Sequence, residues 1–199
     1  MALSPTAAPA FYTWGFRVKS GHAIGVALAG PAASPAPLAR VVVALSDPAV
    51  GGTKQPFHDG FGTAQENQAE IACLVQIVER CARRSIDTLL ADERVGGRTC
   101  RGAGLVVGSV IDPAAVGNPH IRAHALEGRL FRTAIEEALN ARRITSAVIV
   151  EKTLRGAAAK ALKRTNGQIA RTLGAWGRAL GPPWRAEEKA AAMAAWMAL

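Results

Sequence analysis

Phe11-Tyr-Thr-Trp-Gly-Phe-Arg-Val18, then Lys19-Ser-Gly-His22, then Ala23-Ile-Gly-Val-Ala-Leu-Ala29 is the stretch on which the fold turns. The first run is aromatic and β-branched, which suits a pleated, half-buried surface. The Lys19–His22 tetrapeptide reads as a turn, with Gly21 free to take positive φ. The second run is apolar and equally short. Together they predict an antiparallel hairpin near the start of the chain.

Working outward, Gly30 to Pro37 is an irregular connection. Arg40 to Ser46 reads as a third strand, whose apolar run suggests burial on both faces. Residues 48–64 form a Gly- and Pro-rich loop of a length that is often functional. Gln65 to Asp92 carries Ile71, Leu74, Val75, Val78, Cys81, Ile86 and Leu89 at three- and four-residue spacing, the stripe of an amphipathic helix. Ala103 to Ile111 reads as a fourth strand, His120 to Arg143 as a second long helix and Ser146 to Val150 as a fifth strand. Residues 156–164 and 167–180 read as short basic helices. A final Ala-rich helix runs from residue 184 or 185 to Leu199. The order β-β-β-α-β-α-β followed by helices predicts an α/β fold, a mixed five-stranded sheet flanked by helices. Residues 1–10 read as a flexible N-terminal tail and 11–199 as one domain with a basic helical C-terminal part.

Composition limits the function classes. The chain has 199 residues, 49% of them hydrophobic, with a formal net charge of +9. That apolar content excludes a disordered chain, and the length suffices for a real core. Three cysteines, Cys73, Cys81 and Cys100, make no disulfide framework and suit a reducing, cytoplasmic setting. The expectation is of no secretory signal and no membrane span, since the longest uncharged stretch is broken by Gly and Pro. No Walker A, GxGxxG, GxSxG, CxxC or HExxH motif occurs. The charge is localised. Residues 151–199 hold nine Lys/Arg against three Asp/Glu, and so carry +6 of the +9. A basic face of this kind is the electrostatic footprint of a polyanion binder. Its candidate contacts are Lys160, Lys163, Arg164, Arg171, Arg178 and Arg185, with nucleic acid, DNA or RNA, as the expected partner. A solvated Arg-rich surface is the plainer reading of the same residues.

The element order, with Gly15-Phe-Arg-Val18, the turn and Ile24-Gly-Val-Ala27, resembles the ribonuclease H-like fold of RuvC-type Holliday-junction resolvases and YqgF-type resolvase-like proteins. The resemblance implies a metal-dependent nuclease that holds Mg²⁺ or Mn²⁺ with clustered carboxylates, because hard cations take oxygen ligands and paired metals clamp both oxygens of a phosphodiester displacement. Carried over by position, Asp112 follows the fourth strand, and Glu187 and Glu188 open the last helix. The first-strand carboxylate falls at Arg17, a charge reversal that points to a degenerate, non-cleaving member. Asp47 on the neighbouring strand is a substitute first acid.

Other constellations stand beside this one. His120, His124 and Glu127 lie at i, i+4 and i+7 on one helix face, a spacing that can hold a metal. Histidines flanking a surface helix N-terminus are the plainer alternative. His58-Asp59 could pair as base and orienting acid, although neighbours in sequence seldom point together. His22 is expected at the surface. Cys73 and Cys81 are expected to face the core. Trp176 and Trp184 could stack on bases but suit a helix-pair core better. Met193, Trp196 and Met197 form an apolar helix, packed or open to a second copy as a homodimer. The candidate functions are therefore nucleic-acid binding with or without cleavage, a non-catalytic scaffold or dimerisation module, and a small-molecule or metal enzyme using His120, His124 and Glu127.

Overall fold

A computed structural model describes residues 10–60 and 62–199. Most of the tail expected over residues 1–10 lies outside them. Five strands form one sheet: β1 Phe11–Lys19, β2 His22–Ala29, β3 Ala36–Ala44, β4 Thr99–Val107 and β5 Ser146–Val150. Their order across the sheet is β3-β2-β1-β4-β5, with β1–β2 and β2–β3 antiparallel and β1–β4 and β4–β5 parallel. This is the mixed sheet the element order predicts. Gly21 makes the β1–β2 turn at φ +77.

Helices cover both faces. On one face α1 (Gln68–Leu90) and α2 (Pro119–Asn140) pack on Tyr12, Trp14, Phe16 and Val18, the alternate residues of β1. On the other, α3 (Glu151–Leu162), α4 (Asn166–Leu180) and α5 (Ala186–Ala198) cover Val26, Leu28 and Val106. α5 lies unusually close to the sheet, because Gly15 and Gly104 are cross-strand neighbours and leave a floor without side chains. Its Ala190–Ala195 run fits that floor, and Thr13 Oγ1 donates to the Ala195 carbonyl at 2.7 Å. Trp176 packs edge-to-face on Trp196, while Trp184 lies over Gly177, so both tryptophans serve the helix pair. Residues 190–196 of α5, Met193 and Trp196 among them, are buried against the sheet and α3, while Met197 is half-buried.

Five expectations are corrected. β3 starts at Ala36 rather than Arg40, and it is an edge strand whose Val42 is 66% exposed, not a strand buried on both faces. β4 runs over 99–107 rather than 103–111, because pairing with β1 starts at Thr99. α3 begins at Glu151, directly after β5, five residues earlier than composition suggests. Cys81 is buried but Cys73 is exposed; at 3.6 residues per turn, eight residues advance about 80° past two turns, which carries Cys73 off the buried stripe centred near Cys81. His22, expected at the surface, is half-buried. Among the described residues no helix is long and apolar enough to cross a membrane.

Candidate functional site

Two clusters of chemistry-bearing side chains lie at neighbouring places. The first gathers around the C-terminal end of β1. Arg17 sits on the α5 face of the sheet, buried to 6% exposure. Its Nε and Nη2 donate to both oxygens of Glu151, at 3.3 and 2.6 Å, and Nη1 donates to the Val18 carbonyl at 2.7 Å. Glu151 reaches it because α3 starts without a linker after β5. Such a two-pronged guanidinium–carboxylate contact is among the strongest polar pairings. Lys19, two residues along the same strand face, pairs with Glu187 at 3.0 Å. Lys19, helped by the charges of His22 and Arg17, holds the Glu187 carboxyl below its usual range, against a smaller opposing effect of burial.

The other expected acids are engaged elsewhere. Glu188 is 3% exposed, and its carboxylate accepts from the Arg185 N–H at 2.7 Å, capping α5. Asp112 caps the short 3-10 turn Pro113–Ala115 by accepting from Ala114 N–H at 3.1 Å, and is exposed. Asp47 closes its own turn onto Ala49 N–H. The carboxylates the resemblance assigns to divalent metal thus meet the protein's own cations and amides. Glu151, the true partner of Arg17, was missing from the sequence-based set, since nothing in its local context marks a contact across 134 residues.

The basic segment is largely free. Lys152, Arg155, Lys160, Lys163, Arg171, Arg178, Arg185 and Lys189 are exposed. None of them forms an ion pair among the described residues. Arg164 differs from its neighbours. It donates to the Ala33 carbonyl at 2.7 Å and lies 5.3 Å over the Trp196 ring, so it fastens α3 to the body of the fold.

The second cluster combines α2 with the 48–64 loop. Asn118 caps α2 and Pro119 opens it, placing His120 and His124 one turn apart with their Nε2 atoms 3.3 Å from each other. The loop brings His58 to them. Pro56 is buried, Phe57 packs on the core, and His58 bridges Ala64 across a turn made by Gly60 and Gly62 at positive φ. His58 Nδ1 donates to Glu127 Oε1 at 2.6 Å, and Glu127 is 1% exposed. The other oxygen, Oε2, stands 3.7 Å from His124 Nδ1. One ring nitrogen of each histidine falls within 4.8 Å of the others. Two sequence-level expectations change here. Glu127 faces His58 and His124 rather than standing as a third equal member with His120, and the partner of His58 is Glu127, not the exposed Asp59. The i, i+4 spacing announced the helical pair; His58 lies 62 residues before His120, and only its loop setting hinted at a role.

An open cavity of about 490 Å³ fronts the imidazoles and is lined by Gly52, Gln55, His58, Gly60, His120 and His124. A smaller one, about 230 Å³, is lined by Arg17, Lys19, Gly108, Ser109 and His124, so His124 borders both clusters.

No protein-family model matches the chain, and no curated protein is similar to it in sequence. Solved structures are similar in fold. The structure of Thermus thermophilus RuvC aligns over 94% of this chain and 92% of its own, at 11% identity and a TM-score of 0.53. T. thermophilus RuvC in complex with a Holliday junction substrate aligns over 94% and 91%, at 10% identity and a TM-score of 0.52. With its β3-β2-β1-β4-β5 sheet flanked by helices and an alignment over nearly the whole length, the chain has the ribonuclease H-like, RuvC-type resolvase fold.

Proposed function

We propose that this chain binds nucleic acid through its C-terminal helices and does not cleave it. One observation carries the reading. All three carboxylates of residues 151–199 are spent inside the fold, on Arg17, on Lys19 and on the α5 cap, while eight of the nine Lys/Arg there are exposed and unpaired. A surface arranged in this way keeps its positive charge for an external polyanion. The likeness to a RuvC bound to a Holliday junction substrate supports a nucleic acid as that polyanion.

The lack of cleavage follows from the donor set. A divalent metal pair needs several carboxylate oxygens converging with no fixed cation among them. Here the Arg17 guanidinium occupies that ground, permanently charged and already paired with Glu151. Asp112, Glu187 and Glu188 do not make up the loss, and Mg²⁺ or Mn²⁺ has no part in this reading. A cytoplasmic location beside nucleic acid belongs to the same proposal.

Binding of a fluorescent DNA duplex or branched DNA, measured by anisotropy across a salt series, tests it. Affinity is expected to fall linearly in log–log form, with a slope near −0.9 for each phosphate neutralised. Arg171 and Arg178 are seven residues apart on one exposed face of α4. Changing both to Ala is expected to make the slope shallower by about 2, one for each contact. Arg164→Ala is expected to lower stability more than it changes the slope. Retention that is weak at low salt and insensitive to salt would overturn the proposal.

A further inference from the structure

We infer that His58, His120 and His124 form a binding site for one transition-metal ion, Zn²⁺ by ligand chemistry, with Glu127 as the residue that positions His58. The site borders the position of Arg17 through His124 but uses none of the acidic positions of the resolvase-like fold.

Four features point the same way. First, the spacing fits. Zn–N bonds of about 2.0–2.1 Å at tetrahedral angles set two ligand nitrogens about 3.3–3.4 Å apart. His120 Nε2 and His124 Nε2 are 3.3 Å apart. Second, His58 is held in the required tautomer. Its Nδ1–H is committed to Glu127 Oε1 at 2.6 Å, which leaves the Nε2 lone pair as its ligand atom. Carboxylate–histidine–metal relays are the usual way such ligands are oriented. Third, that Nε2 is an orphan. The His58 side chain is 4% exposed, yet Nε2 has no hydrogen-bond partner. A buried imidazole nitrogen without a partner is costly unless something else engages it. Fourth, Glu127 is an almost fully buried carboxylate, and its second oxygen leans toward His124 Nδ1 at 3.7 Å. A buried anion beside three imidazoles is what a dication would compensate.

Three neutral nitrogen donors suit Zn²⁺ and related borderline cations and are poor ligands for Mg²⁺. Three protein ligands also leave one tetrahedral position free. It opens to the 490 Å³ cavity, where water or a small anion can enter, the pattern of an open rather than a closed structural zinc site.

The competing account is a hydrogen-bonded histidine chain that holds protons and no metal. The untagged full-length chain is loaded with Zn²⁺, freed of excess and measured by elemental analysis, and the Co²⁺ form is read by its visible absorption. About one metal per chain is expected, with the intense visible bands of a tetrahedral nitrogen/oxygen site and no thiolate charge-transfer band. Azide should perturb those bands through the open position. His124→Ala, at a half-exposed position that folding tolerates, and His58→Ala are each expected to abolish stoichiometric binding. Glu127→Gln should raise the metal Kd about 10- to 100-fold. Circular dichroism of each variant separates loss of metal from loss of fold; if His58→Ala does not fold, His124→Ala decides. Metal content far below one per chain, unchanged affinity in His124→Ala, or a thiolate band that places the metal on a cysteine would each overturn the inference. A Co²⁺ spectrum indifferent to azide would overturn the open position.

Discussion

Gly15→Ala is expected to lose more stability than any other single-methyl addition in the sheet. A Cβ at Gly15 would fall 1.9 Å from the Ala191 carbonyl oxygen and 2.4 Å from the Ala195 amide nitrogen. Both are backbone atoms of α5, so no rotamer change relieves the contact; the helix must lift. α5 covers β1, β2 and β4 together, and lifting it also loosens Thr13 from Ala195 and Trp196 from Trp176. Overpacking of a tight core typically costs about 1–3 kcal/mol, and a clash of backbone on backbone belongs at or above the top of that range. At about 2–4 °C per kcal/mol for a chain of this size, a melting point at least about 6 °C lower is expected by calorimetry. Gly104→Ala, whose Cβ would meet Ala194 O at 2.7 Å, should cost less. Gly128→Ala, inside α2 with open space around it, is expected to hold or raise the melting point through its better helix propensity, and serves as the control. Equal melting points for Gly15→Ala and Gly128→Ala would contradict this account of how α5 is seated.

The second large effect concerns the Arg17–Glu151 pair, and it is asymmetric. Glu151→Ala leaves a nearly buried guanidinium that cannot lose its proton and keeps only the Val18 carbonyl as a partner. Breaking a buried pair in that direction costs on the order of 3 kcal/mol. Arg17→Met removes the buried charge instead, fills similar volume, and frees Glu151, whose side chain is 46% exposed and can be solvated. Its cost is expected below about 1.5 kcal/mol. The double variant should recover part of the Glu151→Ala loss, a coupling that a double-mutant cycle in urea measures directly. Equal losses for the two single variants would mean that the pair is a surface contact of little consequence.

Much of the element order is legible in the residues, because strand and helix periods differ and the turns carry Gly and Pro. The hairpin and both long helices follow from that alone. The errors have physical causes. Val41-Val42-Val43 is as apolar as a central strand, but strand position is decided by partners, and β3 has a neighbour on one side only. The fourth strand slid because Thr99 and Cys100 pair with Phe11 and Tyr12, a contact that hydropathy does not encode. At the sites, the His120/His124 pair was readable from helix geometry. The ligand-like role of His58 and the Glu151 partner of Arg17 were not, since each depends on chain segments that meet only after folding. Arg17 stands in the sequence as a charge reversal in the pattern the resemblance implies; its pairing with Glu151 becomes visible only in the fold.

The central claim is binding without cleavage. Its most direct test is one incubation of a labelled four-way DNA junction with the full-length chain in low salt and Mg²⁺, resolved in parallel on native and denaturing gels. A retarded complex is expected on the native gel and intact strands on the denaturing gel, with the same outcome in Mn²⁺. Cleaved strands that disappear with a chelator would contradict it, and so would a junction that migrates free at every protein concentration.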